Sequence, residues 1–142
     1  MSRDHVTMTL KSDCPRIWLR FDACTRMMKG LFNYETAFRA YTEACIEDFI
    51  NDNIEYAEIR PNFPSNNMTK DDGETIISNT EVLQIIVDAL ERQKQRGRYF
   101  GGMKVIYCCP RSFSLDLVKA SLNECLELKQ KFPNLVCGAF FS

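Results

Sequence analysis

The sequence predicts an α/β protein: about three parallel strands with flanking helices. Three observations point there. Helix-patterned and strand-patterned segments alternate in the order α-α-β-α-β-α-β, and strands joined through helices form parallel sheets by right-handed crossovers. Segments 103–109 and 135–141 are nearly continuous apolar runs, the pattern of parallel strands buried on both faces. The chain has 142 residues, enough for one domain. A closed barrel needs eight strands and roughly 250 residues. The sheet is therefore either a small open one or a section of a barrel.

Each element has its own warrant. Residues 1–14 are polar and aperiodic and predict a frayed segment, so 1–15 is assigned as a flexible leader. Residues 16–32 predict a helix. Ile17, Phe21, Cys24, Met28 and Leu31 recur at spacings of three or four, and Pro15 suits its first turn. Residues 34–52 form a second helix with Phe38, Tyr41, Cys45 and Phe49 on one face. Residues 54–60 form a strand that Pro61 ends. Residues 62–79 are a loop, with a turn at Asp71-Asp72-Gly73. Residues 80–96 form a helix with Val82, Leu83, Ile86, Ala89 and Leu90 inward. Glu81 complements its dipole and Gly97 caps its end. Residues 114–131 form a helix with Leu115, Val118, Leu122, Cys125 and Leu126 inward, and Ser112 or Ser114 can cap it.

The strand at 54–60 holds the most chemistry. Tyr56, Glu58 and Arg60 alternate, so they share one face, while Ala57 and Ile59 face the other way. In a parallel sheet, ligands bind at the C-terminal ends of such strands. A structural ion pair between Glu58 and Arg60 is the competing expectation.

Composition excludes several classes. The chain is 45% hydrophobic and 26% charged, with a formal net charge of -1. That balance suits a soluble globular protein and offers nothing to nucleic acid or an anionic membrane. No run of about 18 apolar residues exists, and the N-terminus has no signal-peptide pattern. Seven cysteines, none in a Cys-x-x-Cys, fit reduced core thiols in a cytosolic chain.

Trp18-Leu-Arg-Phe21-Asp22, then Phe38-Arg-Ala-Tyr41, then Asp52-Asn-Ile-Glu-Tyr56-Ala-Glu58-Ile-Arg60 follow one another along the chain. Gly101-Gly-Met-Lys-Val-Ile-Tyr107 and Arg111-Ser112 come after them. In this order and spacing they resemble the adenosine deaminase family, in particular its growth-factor-like branch, from about Ile17 to Gly138. The resemblance implies a zinc-dependent (β/α)8 TIM barrel that hydrolyses adenosine to inosine and ammonia, with residues 16–142 as a partial barrel domain. It implies a water activated by zinc, a glutamate that moves protons, and four metal ligands. Those are a His-x-His pair on the first strand, a histidine on a middle strand and an aspartate near the last. Members of this branch can be secreted.

The chain departs from that pattern. Its one histidine is His5, whereas a catalytic zinc takes about three protein ligands. The chain begins after the family's first strand and stops near its fourth. After Val136-Cys-Gly138 the branch continues Phe-Asp-Leu, where this chain has Ala139-Phe140-Phe141-Ser142. The expectation is a fragment that binds no zinc and is not catalytic alone. No residue is assigned a catalytic or metal-binding role. Carried over as substrate-side residues are Trp18, which would stack on a purine, and Glu58 and Arg60, which would support the site from inside the barrel. Arg111 matches a basic residue beyond the next strand.

The remaining candidates have plainer explanations. Cys108 and Cys109 point to opposite faces of a strand and make a poor chelate. Asp71, Asp72 and Glu74 lack the spacing of a calcium loop. Asn67-Met68-Thr69 matches a glycosylation sequon only by pattern. Met27-Met28 suits helix packing. A non-catalytic interaction module, self-associating through exposed strand edges, is the alternative reading.

Overall fold

Among the described residues, three strands and four helices follow the order that the sequence predicts. α1 (Arg3–Leu31) and α2 (Glu35–Asn51) precede β1 (Tyr56–Ile59). α3 (Asn79–Gln95), β2 (Gly102–Cys109), α4 (Leu115–Lys131) and β3 (Val136–Phe141) follow. The computed structural model describes residues 3–61, 63, 68–110 and 112–141, save the side chains of 3–15, 29 and 141. The sheet order is β1-β2-β3 and both pairings are parallel. A parallel three-stranded sheet with flanking helices is the architecture of a section of an α/β barrel.

The sheet is not buried on both faces. β2 alternates strictly: Met103, Val105, Tyr107 and Cys109 are buried, while the residues between them are half-buried. Crossovers of one hand between strands laid down in order place their helices on the same side. The core therefore forms on that side only. Ile46 of α2, Leu83 and Ile86 of α3 and Leu128 of α4 meet Val105, Tyr107 and Val136 there. The apolar run of β2 is continuous because the bare face also carries Ile106 and Cys108.

β3 contains one irregularity. Val136 lies opposite Val105, but Gly138 lies opposite Ile106. Cys137 is the extra residue, and its thiol donates to the Val105 carbonyl at 3.4 Å.

Two helix starts have explicit caps. The Ser78 hydroxyl accepts from the Glu81 N–H, and the Glu81 carboxylate accepts from the Ser78 N–H at 2.7 Å, a reciprocal capping box. Ser114, rather than Ser112, caps α4 by accepting from Leu117 N–H at 3.4 Å. Gly97 closes α3 with φ 70°, a left-handed conformation that favours glycine.

Three helix expectations are corrected. α1 starts at Arg3 rather than residue 16, so Pro15 sits inside it and not in its first turn. Amphipathic spacing reports a packed face, and a polar stretch can be helical without one. The stripe Ile17, Phe21, Cys24, Met28 and Leu31 is exposed. On α2 the inward stripe runs through Phe38, Thr42, Ile46 and Phe49, and Tyr41 is exposed. Thr42 can be buried because its hydroxyl donates to the Phe38 carbonyl at 2.8 Å. On α4 the buried residues are Ser121, Cys125 and Leu128, while Leu115, Leu122 and Leu126 are exposed. The inner stripe includes a serine because α4 packs over the polar end of the Tyr107 side chain.

Candidate functional site

The chemistry expected of the Tyr56 strand lies on the bare face of the sheet. Tyr56 and Glu58 of β1 pair in register with Gly102 and Lys104 of β2. The Tyr56 hydroxyl donates to Glu58 Oε1 at 2.7 Å. That bond holds the phenol protonated, with its pKa pushed up to about 12. The Lys104 ammonium turns to the Asn134 carbonyl, just before β3. Across the sheet, the Arg60 guanidinium lies 5.4 Å from the centroid of the Phe140 ring, a cation–π contact.

The expected Glu58–Arg60 ion pair is absent among the described residues: Glu58 takes Tyr56 and Arg60 takes Phe140. The arrangement leaves a neutral phenol, a carboxylate and a guanidinium along one edge of the face. Such a row can accept from and donate to a polyhydroxylated ligand while an aromatic ring lies beside it.

Two cavities open near the C-terminal end of β1. One, of about 250 Å³, lies between α2 and β1 and is lined by Tyr41, Cys45, Ile59, Arg60 and Met103. Burial, with Asp48 adding to it, pushes the Cys45 thiol pKa upward. The other, of about 380 Å³, lies where the end of α1 meets α2 and α3, with Phe38, Phe63, Met68, Val82 and Asn79 in its wall. Trp18 lines neither. It is exposed on α1, edge-on to Phe21 with ring centroids 5.8 Å apart. The structure thus brings Glu58 and Arg60 to one face and keeps Trp18 apart from them. Arg111 lies outside the described residues, as does part of the Asn67 sequon.

A polar cluster that sequence reasoning missed sits behind the sheet. The Tyr107 hydroxyl donates to Glu124 Oε2 at 2.6 Å, and Asn79 Nδ2 donates to Glu124 Oε1 at 2.7 Å. Tyr107 stacks on Phe63, with centroids 5.3 Å apart. Burial and the Glu124 bond raise the Tyr107 pKa well above the usual phenol range. Phe140 was missed as well. The only signal for it was an aromatic at the C-terminal end of a strand, the end at which Arg60 follows β1.

The donor set does not fit a catalytic metal. Among the described residues no three His, Cys, Asp or Glu side chains converge. Cys24, Cys45, Cys109, Cys125 and Cys137 are free thiols. Among the described residues, no helix is long and apolar enough to cross a membrane.

No family model matches the sequence. Individual proteins do. An adenosine deaminase of Lutzomyia longipalpis is 29% identical over 89% of this chain and 24% of its own length. Adenosine deaminase 2 of Sus scrofa is 28% identical over 93% of the chain and 27% of its own length. The human protein of the same name is 28% identical over 86% and 23%. The chain thus spans about a quarter of the length of the relatives it matches. Aligned with them over most of its residues, and folded as a parallel sheet with flanking helices, it is a partial-length relative of the adenosine deaminase family.

Proposed function

We propose that this chain is the section of an adenosine deaminase-like barrel that spans its second to fourth strands. The observation that carries the reading is the bare sheet face with Glu58 and Arg60 at the C-terminal end of β1. In a closed barrel that face is the interior, and that end is the ligand end. The similarity to adenosine deaminases over almost the whole chain supports the same placement. On this reading the intact protein hydrolyses adenosine to inosine. The face beside β1 then contacts the nucleoside, with Glu58 and Arg60 as polar contacts. Trp18, on a separate helix, offers a surface for stacking on the base. Residues 16–142 form the barrel-like unit and 1–15 its leader. A cytosolic setting is consistent with the free thiols.

Zinc, as the family's cofactor, would polarise the attacking water when bound. On this reading that site is built elsewhere in the intact protein, since this chain has one histidine and a catalytic zinc takes about three protein ligands. The chain alone is therefore expected to bind no zinc and turn over no adenosine. The test is ultraviolet absorbance of adenosine with the pure chain and added zinc. A flat trace is expected, and deamination abolished by a chelator would contradict the reading.

A second reading is favoured by the sheet edges. β1 and β3 each pair only with β2 among the described residues, so each keeps one open edge. Open edges recruit other strands, and a non-catalytic interaction module would use them.

A further inference from the structure

The chain just past β1 is gripped from behind at Phe63. This residue lies beyond the strand ladder and is nonetheless buried. Two groups hold it. Its ring stacks on Tyr107 of β2, with the ring planes 14° from parallel. Its carbonyl accepts from Nδ2 of Asn79, the first residue of α3, at 3.3 Å. Tyr107 and Asn79 are themselves buried, and both also donate to Glu124 of α4, one to each carboxylate oxygen. Asn79 thus shares its Nδ2 between acceptors on two different segments, which fixes the way its carboxamide faces. Phe63 and Asn79 stand in the wall of the cavity of about 380 Å³, with Pro61 and Met68 beside them.

We propose that Glu124 is a positioning residue: through Asn79 and Tyr107 it sets where Phe63 stands at the C-terminal end of β1, and so shapes that cavity wall. One carboxylate ties together two donors from separate elements. Hydrogen bonds to a charged acceptor are roughly twice as strong as neutral ones. Without Glu124, Tyr107 keeps Ser121 as a partner, and Asn79 keeps the Phe63 carbonyl. At 3.3 Å that last bond is long for an N–H···O contact. It orients Phe63 while Glu124 holds the amide, and the amide turns once Glu124 is gone. The consequence for a ligand rests on reading this end of β1 as the ligand end. The positioning itself needs no ligand, so it stands or falls apart from the nucleoside reading.

The test is nuclear magnetic resonance of the full chain with isotope-labelled phenylalanine and tyrosine, reading the nuclear Overhauser cross-peaks between the Phe63 and Tyr107 rings. Glu124→Leu should lose these cross-peaks. Circular dichroism should stay unchanged, because position 124 is half-buried and leucine is a good helix former. Glu124→Gln should keep the cross-peaks, since its amide can accept from Asn79 and donate to the Tyr107 oxygen. Ser121→Ala, which takes the other partner from Tyr107, should keep them too. Should Glu124→Leu fail to fold, Asn79→Ala decides: it cuts the tie between Glu124 and the Phe63 carbonyl and should weaken the same cross-peaks. Cross-peaks of wild-type strength in Glu124→Leu, or in Asn79→Ala, overturn the proposal. So does their loss in Glu124→Gln, which would mean that hydrogen bonding at position 124 does not hold the ring. Their loss in Ser121→Ala overturns it as well, by giving the hold to Ser121.

Discussion

Glu124 satisfies two inward-facing polar groups at once, the Tyr107 hydroxyl and the Asn79 amide. Removing it takes the charged acceptor from both, leaving Asn79 with the Phe63 carbonyl at 3.3 Å and Tyr107 with Ser121. Glu124→Ala should cost about 1–3 kcal/mol, whereas Tyr107→Phe should cost about 1 kcal/mol, because Glu124 is itself only partly buried. Urea unfolding of the two variants measures the asymmetry. The turn at residues 70–75 has its own acid dependence. Asp72 accepts from the N–H groups of Glu74 and Thr75, both at 2.9 Å, and from the Thr75 hydroxyl. The Thr75 side chain first, then the two backbone donors, hold its pKa at about 2, below the ordinary 3.8. A depressed carboxylate contributes stability that is complete above its unfolded pKa and lost as pH falls through its folded one. Stability should therefore drop between about pH 4 and pH 2, and Asp72→Asn should lose that limb in an acid titration. The sequence made the turn legible through Asp71-Asp72-Gly73. It did not reveal the partners of Arg60 or Glu124, because these come from residues far along the chain or on another strand.

At the scale of elements, local chemistry was the better guide. The existence and order of the strands and helices among the described residues follow from periodicity, turn residues and caps. Which helix face turns inward does not follow so directly. α2 and α4 each bury a stripe that includes a hydroxyl residue, Thr42 and Ser121, in place of an expected aromatic or leucine. A residue of that kind is buried only once its partner is in place, and no helical spacing announces the partner. The capping box of α3 is local, and its energetics can be checked alone. Ser78→Ala should destabilise the protein by about 1 kcal/mol, and Ser78→Gly by only a few tenths, in thermal or urea unfolding.

At the scale of the molecule, the central fact is a parallel sheet covered on one face. Parallel sheets are ordinarily covered on both. A barrel is the arrangement in which helices cover the outside while the strands close around their own side chains. The bare face with Tyr56, Glu58, Arg60 and Phe140 then makes sense as an interior wall, and the open edges of β1 and β3 as the seams where further strands belong. The sequence foretold the parallel order and the shared face of Tyr56, Glu58 and Arg60. It misjudged the cover, because an apolar run is the same whether its second face meets helices or other strands of a barrel.

Amide hydrogen exchange of the pure chain tests this most directly. The account predicts strong protection along β2, which is hydrogen-bonded on both sides. In β1 and β3, protection should alternate, with amides pointing to the outer edges exchanging at rates near those of unstructured chain. Uniform protection of every amide in β1 and β3 would contradict it, showing both edges paired and the sheet complete.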